Sequence, residues 1–114
     1  MAFDELKTKI KFEVDFGGKK LIPVIVQDAD RHDVLMMAWM DEEALRRTVD
    51  CGEMVFWSRS RKEYWHKGDT SGNVMTVVEW FADCDTDALL FKVRMRGPQV
   101  ACHTGARSCF FNKG

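Results

Sequence analysis

The clearest periodic signal in the chain lies at Leu89–Met95, where Leu89, Phe91, Val93 and Met95 alternate with Leu90, Lys92 and Arg94. Period two is the signature of a strand with one buried face, and Gly97-Pro98 closes it. Residues 21–27 (LIPVIVQ) are β-rich, with Pro23 pointing to an edge position or to the place where pairing begins. A polar turn, residues 28–33 (DADRHD), leads into the continuous apolar run 34–39 (VLMMAW), short enough for a strand buried on both faces. Asp41 then reads as an N-cap, with Glu42 and Glu43 complementing the positive end of a helix dipole. That helix carries Ala44, Leu45, Thr48 and Val49 on one stripe and stops at Gly52. Further strands are expected over residues 54–57 and 74–81, and Gly17-Gly18 marks a turn after an opening segment without clear pattern. The sum is an α+β fold: a mainly β mixed sheet with one or two short helices.

Composition narrows the class. The chain has 114 residues, 46% hydrophobic and 31% charged, the balance of a globular domain and not of a disordered tail. No repeat or Pro/Gly/Ser linker divides it, so residues 1–114 are expected to form one domain. No apolar run approaches the roughly 18 residues of a membrane span, and the N-terminus lacks the apolar block of a secretory signal. A cytoplasmic location without a membrane partner is the expectation. With 17 basic against 18 acidic residues, formal charge is −1, which does not suggest a nucleic-acid partner held non-specifically by a basic surface, while leaving room for local basic patches.

The cysteines bring in chemistry. Four could form two disulfides, but no secretory segment is present to imply an oxidising compartment. Cys84, Cys102 and Cys109 cluster in the last third, whereas Cys51 stands apart beside Gly52. Three clustered thiols suit a metal site with an open fourth position, the mark of a catalytic zinc rather than a structural one. Three thiolates weaken zinc as a Lewis acid, so a nearby base is wanted; His103, adjacent to Cys102, is the candidate. Asp83, Asp85 and Asp87 sit at i, i+2 and i+4, and in an extended chain would project to one side with Cys84 opposite. Such a trio suits a hard cation such as Mg²⁺. It is not an EF-hand loop, since Ala88 and Arg94 stand where Gly and Glu are required. The plainer alternatives are a solvated acidic turn, buried free thiols and a structural histidine.

A third constellation, residues 57–73, interleaves Arg59, Arg61, Lys62, His66 and Lys67 with hydroxyls, two glycines and aromatics. Arg59, Arg61 and Lys67 could meet phosphate, Thr70, Ser71 and Gly72 could wrap an anion, and Trp65 or Tyr64 could stack on a base. There is no GxxxxGK[ST] P-loop and no zinc-deaminase signature. A small zinc-stabilised module that binds RNA or a nucleotide is the competing class, and would need Cys51 or His103 to close the metal site.

Together, the stretches VLMMAWMDEEAL, FWSRSR, WHKGDTSGN, DCDTDALL and ACHTGARSCF resemble the phosphoribosyl-AMP cyclohydrolases of histidine biosynthesis, in their monofunctional form. One departure is the GPQVACH spelling, read as a small loop variation. The resemblance implies hydrolysis of the N1–C6 bond in the adenine ring of 1-(5-phosphoribosyl)-AMP, giving the ring-opened product ProFAR. It implies Zn²⁺ on Cys84, Cys102 and Cys109, Mg²⁺ on Asp83, Asp85 and Asp87, and His103 as the catalytic base. It gives Arg59, Arg61, Trp65, Lys67, Thr70 and Ser71 a reason to bind substrate phosphate, ribose or base. It also implies a homodimer whose zinc ligands are shared across the interface.

Overall fold

In the computed structural model, which describes residues 3–114, the chain runs through α1 (Phe3–Lys7), β1 (Val14–Phe16), β2 (Lys19–Asp28) and β3 (Val34–Met40). It continues through α2 (Glu42–Cys51), β4 (Val55–Ser58), β5 (Glu63–His66), β6 (Met75–Ala82) and β7 (Leu89–Met95). β2 is the spine. It pairs antiparallel with β3 along one edge and parallel with β7 along the other, and β6 lies antiparallel outside β7. β1 folds back on the start of β2 across Gly17 and Gly18, whose φ values of 63° and 92° a glycine adopts freely. β4 and β5 form a separate hairpin, tied to β6 by a bridge between Glu53 and Thr76 and by the Met54 N–H on the Met75 carbonyl.

The period-two pattern of β7 is realised as read: Leu89, Phe91, Val93 and Met95 are buried. They pack with Val24, Val26, Leu35, Met54, Phe56 and Met75 in one core. Pro23 faces Trp39 of β3, and pairing with β7 begins only at the next residue, Val24. The missing N–H thus falls where the strand is gaining its second neighbour. β3 departs from expectation. It is not buried on both faces, because Val34 and Met37 are 42% and 43% exposed. Met37 pairs with Ile25, itself 41% exposed, so this face of the β2–β3 ribbon lies open.

Helix α2 starts and stops where its sequence signals stand. The Asp41 carboxylate accepts the Ala44 N–H at 2.8 Å, and Gly52 takes φ 75° while its N–H caps the Thr48 carbonyl. Ala44, Leu45 and Thr48 are buried. Asp41 also receives Lys19 Nζ at 3.0 Å and the Tyr64 hydroxyl at 2.7 Å, so one buried carboxylate joins β2, α2 and β5. Burial, then the bond to Asp41, push the Tyr64 phenol up to about 12. Losing an N-cap acceptor alone costs about 1 kcal/mol.

The C-terminal segment, residues 96–114, has no strand or helix, yet it is pinned. Arg107 donates to Asp28 at 2.8 Å and to Asp33 at 2.9 Å, Ser108 donates to the Val34 carbonyl, and the Cys109 N–H reaches the Leu35 carbonyl at 2.7 Å. Burial works to raise Asp28, but the Arg31 and Asp30 N–H groups and Arg107 outweigh it, and its carboxyl ends below the ordinary value. Asp33 is lowered chiefly by the Arg107 hydrogen bond. With side chains 21% and 9% exposed, the Arg107–Asp28 pair is shielded enough for its loss to be felt. Arg107→Met should therefore lower unfolding free energy by about 2–3 kcal/mol at pH 7, measured by urea titration. Both carboxyls are depressed by folding, so the penalty should be complete above pH about 4 and shrink as pH falls further. An unchanged urea midpoint at pH 7 would contradict this anchor.

Candidate active site and its metal-ligand clusters

The pinned C-terminal segment builds the first part of the site. Between Ala101 and Cys109 the backbone closes on itself: Ala101 N–H to Arg107 O at 2.9 Å, Cys102 N–H to Ala106 O at 3.1 Å, Gly105 N–H to Cys102 O at 3.0 Å. Gly105 takes φ 90°, which the turn requires. The loop brings Cys102 and Cys109 together although they are seven residues apart. Their thiols are unequal. Donation from Thr104, by its hydroxyl at 3.1 Å and its backbone, pulls Cys102 below the ordinary thiol value, with Cys109 and Lys67 adding to it. Burial, then the contact with Cys102, push Cys109 up. One sulfur is biased toward thiolate, the form that binds a soft metal.

These thiols line a cleft of about 500 Å³. His103, exposed and adjacent to Cys102, stands at its edge. The rest of the lining comes from the turn before β5, which supplies Arg61, and from β5 and the loop after it, which supply Trp65, His66, Lys67, Thr70, Ser71 and Asn73. The loop is set by close backbone packing: a Cβ at Gly68 would lie 2.5 Å from Val74 N, and one at Gly97 only 2.4 Å from Gly72 O. Both glycines also have positive φ, so neither position accepts a side chain. His66 is clamped between two carboxylates, with Nε2 2.8 Å from Glu53 and Nδ1 3.2 Å from Asp69, and Arg96 donates to Glu53 at 2.6 Å. The Asn73 Oδ1 is buried without a hydrogen-bond partner among the described residues. A buried amide oxygen of this kind is an acceptor that a ligand donor can satisfy.

The second cluster lies elsewhere. Asp83, Asp85 and Asp87 bring carboxylate oxygens within 4.8 Å of one another, all exposed. They do so through a turn and not through the extended alternation expected from spacing, because β6 ends at Ala82 and β7 begins at Leu89. The Asp83 carboxylate accepts the N–H groups of Asp87 and Ala88, and this local bonding favours the turn over continued strand. Thr86, at φ 60°, is held by the Lys11 N–H on its carbonyl and by its own hydroxyl on Lys9 O. Crowding is visible in the carboxyls: hydrogen bonding with Asp85 raises Asp87 and lowers Asp85. Oxygen donors so grouped fit a hard divalent cation such as Mg²⁺.

Of the residues singled out in the sequence, the structure therefore collects Cys102, Cys109, His103, Arg61, Trp65, Lys67, Thr70 and Ser71 around one cleft. It does not bring Cys84 there. Cys84 is exposed on the β6–β7 turn with its sulfur 3.9 Å from Asp85, and among the described residues the three thiols form no single group. Arg59 also points elsewhere, its guanidinium 5.1 Å from the Phe16 ring and 4.8 Å from Trp39. Cys51 ends α2, exposed, with its sulfur 3.4 Å from Glu53 O. Asn73 and the Glu53–His66–Asp69 clamp received no role from sequence. Their residue types are ordinary in a polar loop, and only burial and convergence distinguish them.

Comparison with known proteins gives this geometry a family. The family model for phosphoribosyl-AMP cyclohydrolase matches residues 36–111. A phosphoribosyl-AMP cyclohydrolase of Azoarcus sp. is 53% identical over 106 residues, covering 93% of this chain and 80% of the relative. One from Salinibacter ruber is 57% identical over 99 residues, covering 87% and 76%, and one from Trichormus variabilis 53% over 100 residues, covering 88% and 85%. The matched span holds the cleft loop, the carboxylate turn and the paired thiols alike, and the chain belongs to the phosphoribosyl-AMP cyclohydrolase family.

Proposed function

We propose that the chain is a zinc-dependent hydrolase that opens the adenine ring of 1-(5-phosphoribosyl)-AMP at N1–C6, giving ProFAR in histidine biosynthesis. The observation that carries this reading is the convergence, in one cleft, of two thiols, a histidine and a basic, hydroxyl-rich wall. Water adds at C6, the N1–C6 bond breaks, N1 gains a proton, and C6 is left as a carboxamide. N1 substitution makes the ring electron-poor, so C6 is the electrophilic carbon. Zinc, when bound, supplies Lewis-acid activation of water at neutral pH. The His103 imidazole accepts the proton of the attacking water and returns one to N1. Arg61 and the Thr70-Ser71 hydroxyls face the phosphates and ribose, and the Trp65 ring offers a surface to the base.

The zinc ligands in this reading are Cys84, Cys102 and Cys109, and the carboxylates of Asp83, Asp85 and Asp87 hold Mg²⁺. Because Cys84 lies away from the other two thiols in one chain, we assign it to the cleft of a second copy in a homodimer. The open face of Ile25, Val34 and Met37, with Val78 and Phe81 of β6, offers apolar surface for such a partner to cover. Arg59 would then contact substrate only from that partner's side. The alternative of a closed, structural zinc site loses Cys51 as its fourth ligand, since Cys51 does not line the cleft, and is left with His103, whose replacement below separates the two readings.

The test is ring opening of phosphoribosyl-AMP, followed by ultraviolet absorbance, with enzyme stripped of metal and resupplied. Turnover should require zinc and rise further with magnesium; a folded, zinc-loaded protein without turnover would contradict the reading. His103→Ala should lower kcat roughly 100- to 10,000-fold while zinc content stays at the wild-type level. Equal loss of zinc and turnover would show that His103 serves the metal and not the proton.

A further inference from the structure

Lys67 is a buried cation of the cleft whose charge the reaction above does not use. It follows β5, and its N–H on the Met54 carbonyl at 3.0 Å fixes its backbone. The residue is only 6% exposed, and its ammonium lies 5.4 Å from the Trp65 ring centroid. Among the described residues no carboxylate is paired with it, although thirteen ionic contacts join other lysines, arginines and a histidine to acids at 3.6 Å or less. The acidic groups that act on it are the thiols of Cys102 and Cys109, which share its cleft; Glu63 and Asp69 also line that cleft but pair with Arg61 and His66. Burial pushes its ammonium down, and the two sulfurs push it up.

A buried ammonium without a counter-ion is destabilising, and a fold keeps one where a negative charge arrives with a ligand. Phosphate on the substrate is one source, the expectation from sequence. The other is the metal centre. A zinc ion held by three thiolates carries a net negative charge, which weakens its hold on further anions and its power to acidify water. A fixed cation in the same cleft as two of the three sulfurs would offset that charge.

We propose that Lys67 is a positioning residue for the metal, the built-in counter-ion of the zinc–thiolate centre rather than a substrate phosphate contact. The inference rests on the zinc assignment of the preceding section. It makes a joint prediction that neither a phosphate contact nor a packing role shares. Removing the charge should make the metal-free protein more stable and the zinc-bound protein less favoured.

The experiment compares wild type, Lys67→Met and Lys67→Arg as dimeric full-length chains, metal-free and in chelator-buffered zinc. Lys67→Met should raise the urea midpoint of the metal-free protein and weaken zinc binding roughly 10- to 100-fold. Its KM for phosphoribosyl-AMP, measured at saturating zinc, should stay within about twofold while kcat falls, and Lys67→Arg should recover most of the zinc affinity. Unchanged zinc affinity with a raised KM would overturn the proposal and return Lys67 to substrate binding. A lower midpoint for metal-free Lys67→Met would overturn it too, by showing that the ammonium is already compensated. A wild-type chain that takes up no zinc would instead overturn the metal reading itself.

Discussion

The parallel pairing of β2 with β7 is the constraint on which the rest of the molecule depends. β7 must enter the sheet beside the start of its overlap with β2 and leave beside the end of β2, at Asp28. The turn that delivers its first residue and the segment that departs from its last are therefore held at opposite ends of a seven-residue strand, on the order of 20 Å apart. The entry turn carries Cys84 and the three aspartates. The departing segment carries Cys102, His103 and Cys109, and Arg107 clamps it to Asp28 and Asp33. In the reading proposed above, one chain thus holds two half-centres of a metal site, each locally well built, that its own topology keeps apart.

Each half-centre is electrostatically unfinished in its own way. The carboxylate turn gathers anions whose mutual repulsion a divalent cation relieves, and the turn survives because Asp83 is fixed by backbone N–H groups. The thiol cleft has the opposite excess, a buried ammonium facing two weak acids. In the dimer proposed above, a second chain would bring soft sulfur donors, hard oxygen donors and the basic wall of residues 61–71 around one volume. Under that proposal a small chain would present a polar cleft for two metals without giving up the apolar layer formed by β2, β3, β6 and β7.

Much of this was legible in the chain before any coordinates. The alternation in β7, the Asp41 and Gly52 caps of α2 and the spacing of Cys102 and Cys109 are local signals, and local physics decides them. What escaped reading depends on partners distant in sequence. The run 34–39 looks two-sided because all its residues are apolar, but only the sheet order reveals that β3 lies at an edge with Val34 and Met37 open. The aspartates converge as expected, yet by a side-chain-capped turn and not by strand alternation, since Asp83 competes for backbone N–H groups that a strand would leave to its neighbour. β1 and β5 are three and four residues long with no alternation to find, and Lys67 looks like any solvated loop lysine until its burial is known.

The central claim is that the metal centre belongs to two chains, with Cys84 from one and Cys102 and Cys109 from the other. It is tested most directly by mixing Cys84→Ser and Cys109→Ser subunits, refolding them together and measuring bound zinc and turnover. Random pairing of subunits that each lack one half-centre leaves one intact site in every mixed dimer, so about a quarter of wild-type zinc and activity should return. If the mixture does no better than either parent alone, the three thiols act within one chain, and the account of a divided centre is wrong.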